Sequence, residues 1–241
     1  MVSRIWSSVL LAALLSGAGC GGSLDPILNP PGCPREPVRG PSKFASEPAE
    51  RLIDDFETGD GRLALEEGRD GFWVRGEDFT GALVTTQSSQ CAGRGGWSGH
   101  YSAYGWTGWG NNWTAVFQAP QNNTAVPFDA SAYGAISFWA AFGPFNPASF
   151  AVPVGVTTMD NAWNGGICTT CMDYYGTKVS LTREWQRYVI PFEDLAQSGL
   201  GRPQVPMRKD QMVGFIIWPT QDFDMWIDDI RFEPAASTDG G

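Results

Sequence analysis

Four of the chain's eleven tryptophans, Trp97, Trp106, Trp109 and Trp113, fall in one run reading WSGHYSAYGWTGWGNNW, where Tyr101 and Tyr104 add two more rings. The run contains no Leu, Ile or Val. In a packed core, branched aliphatic chains normally fill the gaps between rings. Rings spaced by Gly, Ser and Asn describe a loop-borne platform with polar partners at hand. Its chemistry is stacking on flat ligands, and outside the cytoplasm the commonest of these are sugars. Tyr104, Trp106 and Trp109 are the candidate stacking rings. Each stack is worth about 0.5–1.5 kcal/mol by analogy with aromatic pairs. A few such rings with hydrogen bonds reach micromolar to millimolar affinity once the entropic cost of binding is met. Asn111, Asn112, Asn164 and Asp173 are the candidate polar grip on hydroxyls, with Trp163 and Tyr174 as a second wall. The competing reading is that the rings cap the end of a core under a long loop. Trp113 belongs to that reading, because it opens the alternating stretch Trp113-Thr-Ala-Val-Phe117. Trp139, Trp185 and Trp226 read as core from their strand patterns, and the lone His100 reads as an ordinary loop residue.

Catalysis finds little support in the residue types. Glycoside hydrolysis needs two carboxylates roughly 5 to 10 Å apart across the scissile bond. Glu66, Glu67, Glu184 and Glu193 do not fall into a Glu-x-Asp-x-x-Glu arrangement on one strand face. Neither a Gly-x-Ser-x-Gly elbow nor a His-Glu-x-x-His motif occurs, and any Ser or Cys nucleophile has only His100 to serve as its base. The expectation is a non-enzymatic carbohydrate binder. Two alternatives stay open: a protein-interaction or assembly module of the same fold, and a small glycoside hydrolase with an unrecognised carboxylate pair.

The elements that must position these residues are short strands. They are read at Leu52–Phe56, Phe72–Val74, Leu83–Thr86, Trp113–Gln118, Gly134–Ala141, Ala151–Thr157, Thr177–Leu181, Trp185–Ile190, Met212–Trp218 and Phe223–Phe232. Many alternate with period two and are bounded by Gly, Pro, Asn or Asp, as half-buried strands are. Only Pro191–Gln197 hints at a helical turn. Ten strands with almost no helix predict an all-β fold, a β-sandwich of the jelly-roll kind. Thirty glycines and a high aromatic content suit the turns of an exported β domain. The net charge of −10 argues against nucleic acid and anionic headgroups as partners.

The first residues, MVSRIWSSVLLAALLSGAGC, have one early Arg, an apolar run from Val9 to Leu15 and small residues up to Cys20. This is a signal peptide over 1–19, too short to span a bilayer once processed. A cysteine after small residues predicts a lipidated Cys20, although Gly17 stands where an aliphatic residue is usual; plain secretion with Cys20 in a disulfide is the alternative. Residues 20–48 are dominated by Pro and Gly and read as a tether. The folded domain is expected over 49–234, with a disordered tail over 235–241. The predicted location is the cell envelope, on a lipid anchor and more specifically at the outer membrane, and the predicted state is a monomer. With Cys20 acylated, four cysteines remain, which in an oxidising compartment implies disulfides. Cys168 and Cys171 are the expected local pair, with a free thiol pair as the alternative, and Cys33 and Cys91 remain as a candidate second pair. Zinc lacks ligands, since His100 is the only histidine.

The order of motifs carries a resemblance. Ile53-Asp54-Asp55-Phe56-Glu57 is followed by Gly68-Arg69-Asp70-Gly71-Phe72-Trp73, Tyr133-Gly-Ala-Ile-Ser-Phe-Trp139, Gly165-Gly166-Ile-Cys168-Thr-Thr-Cys171 and Glu184-Trp185-Gln186-Arg187-Tyr188. The close is Trp226-Ile227-Asp228-Asp229-Ile230-Arg231-Phe232. This resembles the galactose-binding-like jelly rolls typified by family 11 carbohydrate-binding modules and related bacterial lipoprotein domains, over residues 50 to 233. The resemblance implies a polysaccharide or oligosaccharide ligand. Some related modules hold a structural calcium, and this chain has acids at both ends. By strand parity Asp54 and Asp228 both lean inward on neighbouring terminal strands, and two carboxylates so placed must protonate or share a cation. Calcium held by Asp54 and Asp228 is therefore an expectation, with backbone N–H groups or Arg231 as the alternative partners.

Overall fold

The computed structural model describes residues 51–88, 96–143, 150–165, 171–200 and 205–235. The expected signal peptide and tether, and residues 236–241 of the expected tail, with Cys20, Cys33, Cys91 and Cys168, fall outside these residues.

Eleven strands are described: β1 (Leu52–Asp54), β2 (Phe72–Glu77), β3 (Ala82–Ser88), β4 (Ser98–Tyr104), β5 (Asn111–Val116), β6 (Tyr133–Phe142), β7 (Phe150–Thr158), β8 (Tyr175–Leu181), β9 (Gln186–Pro191), β10 (Met212–Ile217) and β11 (Phe223–Pro234). The expected helical turn is a single 3-10 turn, Phe192–Asp194. One sheet has the order β3-β4-β11-β6-β9 with β1 added on β11, and the other has the order β2-β5-β10-β7-β8. Every pairing is antiparallel. The result is the expected jelly-roll sandwich. Inward faces meet in one core that includes Phe56, Tyr101, Phe117, Phe138, Phe215 and Phe232.

Two elements differ from the sequence reading. First, Ser98–Tyr104 is a strand and not part of a loop platform. Its inward residues are Gly99, Tyr101 and Ala103, and Tyr101 is wholly buried. The alternation is masked in the sequence because two of the three inward residues are Gly and Ala. Second, β11 does not keep one parity. Phe223, Met225 and Ile227 are in the core, and then Ile230 and Phe232 are. The register shifts between Asp228 and Arg231, and Asp229 adopts φ 48°. This bulge inserts a residue and swaps faces. Trp226 and Asp228 therefore point away from the core, contrary to the parity argument.

The connections sort to two ends. One end, here the upper, carries residues 78–81, 105–110 and 218–222. The lower end carries residues 55–71, 117–132 and 159–174, together with the chain's entry into β1 and its exit from β11.

Candidate ligand face

The outward face of the six-stranded sheet carries the most distinctive arrangement in the molecule. Trp226 lies across from His100 on β4 and from Ala141 on β6. Trp139 lies across from Asp228 on β11 and Arg187 on β9. Trp185, Trp226 and Ala141, with the half-buried Trp139, form an apolar cluster separate from the main core. This corrects the expectation that the three indoles are core residues: they are packed, but on the other side of the sheet. The His100 ring lies flat on Trp226, with centroids 4.1 Å apart and planes 6° apart. Its Nε2 is 2.6 Å from Asp224 Oδ1, which fixes the ring in place. The expectation that His100 is a plain loop residue is thereby replaced by a positioned ring on a strand.

Around these rings the charges are paired. Arg187 bonds Glu233 and donates to Ser137 Oγ at 3.2 Å, and Ser137 donates to Glu233. Arg231 Nη2 lies 3.3 Å from Asp229 Oδ1. Asp228 Oδ1 accepts from the Asp229 N–H at 2.7 Å. At the upper margin, burial pushes the Tyr104 phenol up to about 12, and the Asp224 charge adds to that effect. The phenol stays neutral and able to donate at physiological pH. The face thus combines partly exposed flat rings with fixed polar groups and no surplus cation in these pairs. Such a surface can stack on an apolar ligand face and hydrogen-bond its edge.

Of the residues singled out in the sequence as ligand contacts, only Tyr104 belongs to this face, and the others lie elsewhere in the molecule. Tyr104 closes β4 on its outward side. Trp106 is half-buried, packs against the main core and has its indole N–H buried without an acceptor. Trp109 is 64% exposed. Asn111 is buried and accepts the Tyr101 hydroxyl. Its carbonyl therefore belongs to the core, and Asn112 is half-buried beside it on β5. Trp163 is 71% exposed, and the Asn164 carbonyl holds the Ala125 N–H at 2.8 Å. Tyr174 packs edge-on against Trp218 at 5.5 Å. Asp173 is filled from within: Ser198 N–H and Oγ (both 2.7 Å), Gly199 N–H (2.8 Å) and Leu200 N–H (3.1 Å) all donate to it. Burial alone would raise its carboxyl, but these donors hold it below the ordinary value.

Trp163, Asn164 and Asp173 follow the lower end of β7 or precede that of β8, whereas Trp106 and Trp109 precede the upper end of β5. The intervening six-residue strand spans roughly 20 Å. Trp163 and the segment carrying Trp106 and Trp109 are at opposite ends, and the expectation that they face each other across one hollow is corrected accordingly, while Tyr174 reaches Trp218 at the start of an upper connection.

The acidic pair also separates. Asp54 lies across from Ile230 on the core side. Its oxygens accept from Phe56 N–H (2.9 Å) and Trp73 Nε1–H (2.5 Å). Asp228 points to the other face because of the bulge. Calcium between them has no common site, and among the described residues no group of three or more His, Cys, Asp or Glu is placed to hold a metal. Cys171 is disulfide-bonded; its expected partner Cys168 lies outside the described residues, so the pairing itself stays a proposal.

No family model matches the chain, and no curated protein matches it. Solved structures do. The chain is similar to the family 11 carbohydrate-binding module of the cellulosomal cellulase Lic26A-Cel5E of Clostridium thermocellum, with a TM-score of 0.52 and 18% identity over 79% of this chain and 97% of that one. It is also similar to a family 11 module from the same organism in complex with a β-1,3-1,4-mixed-linked tetrasaccharide, with a TM-score of 0.51 and 16% identity over 77% of this chain and 95% of that one. The galactose-binding-like jelly roll is thus the fold of this chain. At these identities the likeness carries the fold and not the ligand.

Proposed function

We propose that this protein binds polysaccharide without altering it, through the outward face of the six-stranded sheet. The observation that supports this most is the second aromatic cluster, Trp139, Trp185 and Trp226, built outside the core with His100 laid flat on it. A sandwich needs no such cluster to fold. A neighbour of the same fold was solved with a tetrasaccharide, which supports a glycan as the occupant. The sequence adds an export signal and a lipidated Cys20, so the domain is read as held at a cell-envelope membrane.

Affinity electrophoresis of the full chain through soluble glycans, beginning with mixed-linkage β-glucan, tests the reading. Retention is expected for at least one glycan. Trp139→Ala, with near-UV circular dichroism unchanged, is expected to weaken it by about tenfold, one ring's worth of stacking. Retention by no glycan, or full retention in Trp139→Ala, removes the reading. Release of reducing ends from a retained glycan would establish the hydrolase alternative instead.

A further inference from the structure

Phe79 and Trp109 are 83% and 64% exposed at the upper end. They lie on facing segments. Glu77 pairs with Asn111 at the end of β2 and β5. One step further, Asp78 N–H bonds Gly110 O at 3.1 Å and Gly110 N–H bonds Asp78 Oδ2 at 2.7 Å. Phe79 and Trp109 are the next residue on each facing segment.

Their exposure is not that of a loose loop. Asp78 Oδ1 accepts from Thr80 N–H (2.9 Å) and Thr80 Oγ1 (2.6 Å). Thr80 Oγ1 in turn accepts from Thr107 N–H (3.0 Å) and Gly108 N–H (3.3 Å). Gly105 N–H bonds Asp222 Oδ1 at 2.7 Å. The two connections are latched to each other and to the next one. Gly108 is required by this latch, since a Cβ there would meet Asp78 Oδ2 at 2.3 Å. Phe79 itself has φ 59°, a conformation that a residue with a large side chain adopts only at a cost. The fold thus spends backbone strain to hold an apolar ring in water, on a connection bonded to the one that carries the exposed Trp109.

We propose that Phe79 and Trp109 form a second ligand platform, separate from the sheet face, that lies against the apolar face of chains in an insoluble polysaccharide. The proposal takes from the preceding reading only that the protein handles glycans. A protein partner fits poorly. Two aromatic side chains offer at most about 500 Å², well under the roughly 800 Å² per partner of a stable protein interface. An anionic membrane surface fits poorly as well. Segments 78–81 and 105–110 contain no Lys or Arg, and Asp78 and Asp222 flank the rings. The platform also sits at the end away from the chain's entry at β1. Two exposed rings on connections latched to each other match a flat, uncharged, repetitive solid, where many weak contacts add up.

Depletion of the full chain by microcrystalline cellulose, chitin and insoluble β-1,3-glucan powders tests this, with affinity for soluble mixed-linkage β-glucan measured in parallel. The wild type is expected to be depleted by at least one powder. Phe79→Ala and Trp109→Ala should each weaken that binding about fivefold, and the double variant should lose it, with melting temperature and soluble-glucan affinity unchanged. Trp139→Ala should show the converse pattern. The proposal is overturned if no powder depletes the wild type, or if the double variant binds powders like the wild type. It is equally overturned if powder and soluble binding fall together in the tip variants, or if the rings matter only for capture by anionic vesicles. Loss of soluble binding to the wild type with powder binding intact would instead remove the sheet-face reading and leave this one standing.

Discussion

Burial pushes the Asp54 carboxyl up to about 7, outweighing the two N–H groups from Trp73 and Phe56 that favour its charged form. In the unfolded chain the same group titrates near its ordinary value of about 3.9. Between those values the folded state holds a proton that the unfolded state has released. The contribution to stability is therefore full below about pH 4, declines as pH rises towards 7 and is level above it. The loss across that window is at most about 4 kcal/mol. Asp54→Asn, which cannot ionise, is expected to remove this decline. Because the variant also loses one of the two hydrogen bonds at every pH, the readout is the slope of melting temperature between pH 4 and 7.5 against wild type. Parallel slopes would contradict it. The inward lean of Asp54 does not come from the parity of its strand, because the register shifts between Leu52 and Asp54 and the intervening Ile53 is itself in the core. Its separation from Asp228 was not legible either, because a single residue in the left-handed region at Asp229 decides it and no residue type demands that geometry.

At the scale of elements, β4 shows why a strand can hide. The residues that pack, Gly99, Tyr101 and Ala103, include one large side chain among small ones, and the intervening residues are polar. Tyr101 ties this strand to β5 through its hydroxyl on Asn111. Tyr101→Phe leaves that buried acceptor without its donor and is expected to cost about 1–3 kcal/mol in urea unfolding. Glycan retention on the outward face should be unchanged, because Tyr101 points the other way. Loss of retention at unchanged stability would contradict this orientation. The other ten strands were legible because apolar residues alternate between turn formers. The face they offer to ligand was not. Trp139 and Trp226 sit in strands, and Trp185 directly before one, whose pattern marks them as buried. That is correct of Trp185 and Trp226, but period two alone does not say which side of a sheet is the inside. Conversely, Trp106 and Trp109 were read together, yet one turn of the loop sends the first towards the core and leaves the second in water.

At the scale of the whole molecule, the sandwich separates two kinds of surface. The six-stranded sheet presents packed rings with fixed polar neighbours, and the upper end presents two bare rings. The length and glycine content of the chain made the sandwich legible, while the partition depends on which loop falls at which end, set by strand order. The expectation of an acyl anchor belongs to this scale. Growth of cells expressing the full chain with radiolabelled palmitate should label the protein, and Cys20→Ser should not be labelled while still being exported. Equal labelling of both would remove the anchor.

Leu52 lies across from Arg231, three residues before the end of β11. The folded body is therefore a closed loop of chain whose two mouths nearly touch. Such a body can be spliced into a surface turn of an unrelated host with little disturbance to either, and the host would then carry its paired aromatic tip on the side facing outward.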